Sequence, residues 1–146
     1  MFPEGRVLSR IWKANVSTRD EAKGADLSGC RILVVEDEYF LADDMVRVLN
    51  ASGAEVVGPI GDAQEALVAL DGQTRFDCAI LDINLRGELV YPFASALRSR
   101  NIPFVFATGY DQAAIPAGFE DVPRWEKPFD PVALAGALPS LVVRRS

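Results

Sequence analysis

Four short stretches carry groups that could handle an anion and a cation together. Glu36-Asp37-Glu38, Asp82-Ile83-Asn84, Ala107-Thr108-Gly109 and Glu126-Lys127-Pro128-Phe129 each end a short apolar run. Glu36, Asp37 and Asp82 would repel one another if brought close, and some would be pushed toward protonation. A divalent cation removes that repulsion. Magnesium suits such a set, because it takes oxygen ligands, keeps several waters and accepts one or two carboxylates plus a phosphate oxygen. The backbone carbonyl of Asn84 could add a ligand. Lys127 supplies a point charge for an anionic oxygen, and the Thr108 hydroxyl a donor for another. The set describes phosphoryl handling, with a carboxylate able to act as nucleophile and become an acyl phosphate. Singly, each residue has a plain explanation. An acidic pair after a strand is a helix cap or a loop, Lys-Pro is a common loop, and a strand-end Thr reflects β-propensity. The joint occurrence at four strand ends is what gives the chemical reading weight.

Distant segments meet only if the chain folds so as to align those ends. Arg31-Ile32-Leu33-Val34-Val35 reads as a strand buried on both faces. Leu41, Met45, Val48 and Leu49 then repeat at helical spacing, with Asp43, Asp44, Arg47 and Asn50 opposite, until Gly53 stops the helix. Val56-Val57 is a brief strand ended by Gly58-Pro59. Asp62 caps a helix with Ala63, Ala66, Leu67 and Leu70 on its inner face, closed by Gly72. A third strand spans 76–81, and Val90, Phe93, Ala94 and Leu97 mark another helix. A fourth strand covers 103–107, a weak helix cut by Pro116 follows over 111–118, and a fifth strand covers 122–126. Asp130 caps the last helix, with Pro131 in its favoured first position and Val132, Ala135 and Leu138 facing inward. Pro139 is expected to end or kink it. Apolar strands alternating with amphipathic helices predict an α/β fold, a doubly wound parallel sheet with helices on both faces. In such sheets the site lies at the carboxyl ends of the strands.

Composition narrows the chemistry further. The chain has 146 residues, 49% hydrophobic and 25% charged, which suits one globular domain with a short appendage. Fifteen basic residues against twenty-one acidic ones leave a net charge of −6, so nucleic acid is not an expected partner. The absence of histidine excludes Ser-His-Asp and Cys-His catalysis, a His-ligated zinc site and a phosphohistidine on this chain. Cys30 and Cys78 form no CxxC pair and no disulfide framework, and Cys78 reads as a core residue. No run approaches the ~18 apolar residues of a membrane span, and the first twenty residues lack the apolar region of a secretory signal. The expected location is the cytoplasm, without membrane insertion. Residues 1–28 read as an extension and linker. In it Val7, Leu8, Ile11 and Trp12 fall at helical spacing among Arg6, Arg10 and Lys13, a short amphipathic helix. The domain proper is expected over 29–146, as a monomer or weak dimer.

Leu33-Val34-Val35-Glu36-Asp37-Glu38, Ile80-Leu81-Asp82-Ile83-Asn84-Leu85, Ala107-Thr108-Gly109 and Glu126-Lys127-Pro128-Phe129 resemble the receiver domain of bacterial two-component response regulators. The resemblance covers about residues 29–143. It implies a flavodoxin-like five-stranded sheet of order 2-1-3-4-5. It also implies that Asp82 accepts a phosphoryl group from a histidine kinase or phosphotransfer protein. By the same resemblance Glu36, Asp37, Asp82 and the Asn84 carbonyl hold Mg2+, Thr108 is the switch hydroxyl and Lys127 binds the phosphate. Pro103-Phe104-Val105-Phe106-Ala107-Thr108-Gly109-Tyr110, with Asp82-Ile83-Asn84-Leu85-Arg86-Gly87-Glu88, looks like the FATGUY subgroup of single-domain receivers, whose members tend to work with HWE or related kinases. Two departures stand out. The acidic pair begins with Glu36 where many receivers have aspartate. The position three before the lysine, commonly a rotating Tyr or Phe, is Arg124, followed by Trp125. Tyr110 and Trp125 are therefore the candidate switch aromatics, with Tyr110 the preferred substitute.

Three readings compete. In the first, Asp82 is phosphorylated with Mg2+ bound, and the 108–118 segment moves. Nineteen residues follow Lys127, so output is expected through contact with a downstream protein, or as a phosphorelay intermediate or sink. The second is a haloacid-dehalogenase-type phosphatase. It needs a second carboxylate two residues after the nucleophile, where this chain has Asn84, so an enzyme with its own substrate is not expected. The third is a phosphorylation-independent interaction module on the same fold.

Overall fold

The computed structural model describes residues 26–72, 75–109 and 115–143. The elements in chain order are β1 (Arg31–Val35), α1 (Tyr39–Ala51), β2 (Glu55–Ile60), α2 (Ala63–Asp71), β3 (Cys78–Asp82), β4 (Asn84–Leu85), β5 (Glu88–Leu89), α3 (Tyr91–Ser99), β6 (Phe104–Thr108), β7 (Arg124–Glu126) and α4 (Pro131–Val143). Five strands form one parallel sheet, ordered β2-β1-β3-β6-β7. This is the flavodoxin-like order 2-1-3-4-5 expected from the resemblance.

Strand alternation divides the core into two halves. Leu33, Val35, Ala79, Leu81, Phe104 and Phe106 point to one face, where they meet Ala66 and Leu70 of α2 and Phe93 and Leu97 of α3. Ile32, Val34, Cys78, Ile80 and Val105 point to the other, against Met45 and Leu49 of α1 and Leu134 and Leu138 of α4. Cys78 is fully buried, as a small apolar residue. Both faces of the central strands are thus dry, which is why those strands read as unbroken apolar runs.

The expected helix signals work as chemistry predicts. Asp62 accepts from the backbone N–H groups of Gln64 and Glu65 at the start of α2. Asp130 accepts from Val132 N–H at the start of α4. After α1, Gly53 takes φ +99, and the N–H groups of Gly53 and Ala54 bond Asn50 and Leu49 carbonyls, a Schellman closure. A side chain at Gly53 would meet Ser28 Oγ at 2.7 Å.

Several expectations need correcting. β2 does not end at Gly58-Pro59 but runs to Ile60, with a register shift between the Leu33–Val57 and Val35–Ile60 pairs. β2 is an edge strand, where a proline's missing donor is tolerated. Gly58 at φ +119 brings its backbone so close to Val34 that a Cβ there would overlap the Val34 carbonyl oxygen. Pro139 does not end α4, which continues to Val143. Leu141 and Val142 beyond it pack against the core, and that burial outweighs the lost backbone bond. Residues 115–118 are not helical; Phe119 N–H closes a turn on Pro116. The rest of the expected weak helix, with Tyr110, lies outside the described residues, as does the amphipathic stretch within residues 1–28. The β4–β5 hairpin was not expected. Arg86 (φ 52) and Gly87 (φ 88) form its two-residue turn, both in the left-handed region that such a turn requires.

Leu27, read above as linker, is fully buried beside Met45, Leu49 and Ala54, and its N–H bonds Ser52 O at 2.9 Å. Among the described residues no helix is long and apolar enough to cross a membrane. Leu27→Ala is expected to cost about 2–4 kcal/mol in urea unfolding, the range of a buried leucine truncation. A change under about 0.5 kcal/mol would return this residue to the linker.

Candidate functional site

β1 and β3 are hydrogen-bonded neighbours, with Val35 opposite Leu81. Each strand therefore delivers its next residues to the same spot. One carboxylate oxygen from each of Glu36, Asp37 and Asp82 lies within 4.8 Å of the others. Glu36 and Asp82 are buried, and Asp37 is half-buried. β6 and β7 bring the cation. Thr108 pairs with Glu126, and Lys127 N–H bonds Thr108 O at 2.8 Å. The Lys127 ammonium then reaches back to three carboxylates: Glu36 Oε2 at 3.0 Å, Asp82 Oδ2 at 3.2 Å and Glu38 Oε1.

The backbone steadies the acids. Asp82 Oδ1 accepts from Asn84 N–H at 3.1 Å, and Glu36 Oε2 from Glu38 N–H at 2.9 Å. Asp37 Oδ2 accepts from Arg86 N–H at 3.0 Å, which ties the β4–β5 turn to the acidic loop across 49 residues of sequence. The Asn84 side chain accepts from Gly87 N–H at 2.7 Å and shapes the same turn.

Charge is unbalanced here. Burial, then the Glu36 charge and a hydrogen bond shared with Glu36, push the Asp82 carboxyl up to about 8 against the opposing pull of Lys127 and Asn84 N–H. Burial alone would lower the Lys127 ammonium. Bonds to Glu38 and Glu36, with the charges of Glu36 and Asp82, more than offset it and raise that group above its usual range. Glu36 Oε1 is buried and has no hydrogen-bond partner among the described residues. A buried carboxylate oxygen without a donor, on a residue clustered with two more acids, fits a hard divalent cation with oxygen ligands.

The expected residues Glu36, Asp37, Asp82 and Lys127 thus come together. Thr108 is buried at the end of β6 and donates its hydroxyl to Gly109 O at 3.0 Å. Trp125 does not come to Thr108. Strand alternation puts Thr108 on the Phe104 and Phe106 face, whereas Trp125 packs on the other face with Val105, its ring 6.0 Å from that of Phe129. Arg124, opposite Phe106 in register, is exposed. Two contributors were missed. Glu38 was seen as part of the acidic run without a role, and only the position of Lys127 reveals one. Tyr91 stacks on Phe119 and meets Phe106 edge-on, with a buried hydroxyl that has no partner among the described residues. No sequence spacing signals that cluster, which Phe119 joins from a loop.

The sequence matches the family described as response regulator receiver domain over residues 32–138, and the chain belongs to that family. It is 29% identical over 112 residues to the transcriptional regulatory protein PdtaR of Mycobacterium tuberculosis, covering 76% of this chain and 54% of that protein. The chain therefore spans about half the length of that curated relative. The solution structure of SdrG from Sphingomonas melonis is similar at 41% identity and TM-score 0.60, over 77% of this chain and 95% of that one. The response regulator PhyR from Brucella abortus is similar at 26% identity and TM-score 0.67, over 89% of this chain and 54% of that one.

Asp82 ionises near 3.8 when unfolded and near 8 in the fold. Between those values the folded chain holds a proton that the unfolded chain has released, so metal-free stability falls as pH rises across that window. Urea unfolding in chelator at about pH 5 and about pH 8.5 is expected to show wild type losing at least about 1 kcal/mol relative to Asp82→Asn. An equal pH response in both proteins would contradict the assigned burial of charge.

Proposed function

We propose that this receiver domain accepts a phosphoryl group on Asp82 from a phosphohistidine of a partner kinase or phosphotransfer protein. The observation behind this reading is the meeting of Asp82, Glu36, Asp37 and Lys127 at the carboxyl ends of three strands. Ionised Asp82 attacks phosphorus in line, the phosphorus–nitrogen bond breaks, and the donor imidazole leaves as an acyl phosphate forms. Glu36, Asp37, Asp82 and the Asn84 carbonyl would hold Mg2+, which when bound neutralises charge on the transferred group. Asn84 N–H steadies the Asp82 carboxylate. Lys127 exchanges its bond to Asp82 for a phosphoryl oxygen. Thr108 gives up the Gly109 carbonyl and turns its hydroxyl to the new anion, and the chain after Gly109 follows.

The chain acts as a signalling acceptor, not as an enzyme with its own substrate, because Asn84 stands where a phosphatase of the dehalogenase type keeps its acid. Its altered surface then meets a downstream protein, or it passes phosphate along a relay. The Pro103-to-Tyr110 motif supports the FATGUY-like subgroup and an HWE-type donor. Tyr110 is the switch aromatic in this reading, since the Trp125 ring lies across the sheet from Thr108.

Incubation with acetyl phosphate and Mg2+, followed by intact-mass spectrometry, should add one phosphoryl group to wild type and none to Asp82→Asn. Label retained by the variant would move the acceptor elsewhere. Mg2+ should also raise the wild-type Tm, because it binds the folded site only. An unchanged Tm at millimolar magnesium would count against the metal site.

A further inference from the structure

The three N–H donors of Lys127 are matched by three carboxylates, and two of these, Glu36 and Asp82, belong to the cluster that would take a cation. Glu38 does not belong to that cluster. Its side chain is 61% exposed, against 0% for Glu36 and 7% for Asp82, so it sits at the rim and offers the ammonium a partner outside the cluster. A dication and an ammonium that share the same two carboxylates repel each other. Lys127 must loosen its hold on Glu36 when a metal binds, yet stay beside Asp82 to meet a phosphoryl oxygen. The geometry points to Glu38 as a positioning residue that gives Lys127 an anionic partner outside the metal's carboxylates, so that cation and lysine can occupy the pocket together. This rests on the metal reading given above.

Local structure leaves Glu38 free for that work. It is the N-cap of α1, but its side chain makes no capping bond. Its backbone N–H bonds Glu36 Oε2, which keeps the loop in place whatever the side chain is. Glu38→Gln removes the charge and keeps the size. Glu38→Asp keeps the charge on an arm one methylene shorter, which weakens its hold on Lys127, and aspartate favours capping the helix instead.

Calorimetric Mg2+ titration of the whole chain separates the alternatives. Wild type should bind, and Glu38→Gln and Glu38→Asp should both bind about tenfold more weakly, the usual scale for losing a residue that orients a metal site. In a Lys127→Met background, Glu38→Gln should change the affinity no further. Wild-type affinity in Glu38→Gln would overturn the inference while leaving the metal site intact. So would a wild-type result for Glu38→Asp, or an undiminished loss in the Lys127→Met background, since either means that a bare field acts without the lysine. No binding by wild type would remove the metal reading and this inference with it. Unchanged circular dichroism in each variant checks that the fold is retained.

Discussion

Two parallel strands that are hydrogen-bonded neighbours end on three carboxylates, and a single ammonium reaches in among them. Everything distinctive about the site follows from that imbalance. Glu36 and Asp82 are out of water, so their charges are poorly screened. One oxygen of Glu36 has no donor among the described residues, and Asp82 keeps a proton well above the usual carboxylate range. Behind these acids the sheet is packed with apolar side chains on both faces. A proton on Asp82 relieves part of that repulsion, and a divalent cation would relieve more of it.

The same constraint explains how distant segments are coupled. Lys127 comes from the far side of the sheet, positioned by its backbone bond to Thr108, and so joins the end of β6 to the acids of β1 and β3. Asp37 is fastened to the turn between β4 and β5 by Arg86 N–H. Lys127 thus bonds both Asp82 and the β6 terminus, and Asn84 bonds Asp82 through its N–H and the hairpin turn through its side chain. The aromatic group of Tyr91, Phe104, Phe106 and Phe119 lies on the Thr108 face of that sheet.

Much of this was legible in the chain. The all-apolar strands and the capping residues Asp62 and Asp130 are local signals, and they lead to the right elements. The acids at 36, 37 and 82 and the lysine at 127 sit at strand ends, so the sheet order alone brings them together. What escaped was tertiary in origin. Pro139 reads as a helix stop, but Leu141 and Val142 find a core beyond it. Gly58-Pro59 reads as a strand end, yet an edge strand can bulge past it. Leu27 reads as linker because one apolar residue in a polar stretch gives no period. Trp125 looks equivalent to a switch aromatic until strand alternation assigns it to the opposite face. Glu38 acquires a role only once Lys127 is in place beside it.

The central claim is that Glu36, Asp37 and Asp82 form one cation-binding pocket. Titration with Mn2+, a paramagnetic substitute for Mg2+, tests it most directly through amide signals in NMR spectra of the labelled protein. Early, selective loss of the signals of residues 36–38 and 82–84, reversed by excess Mg2+, is the predicted result. Broadening spread over the acidic surface, or centred elsewhere, would contradict the account.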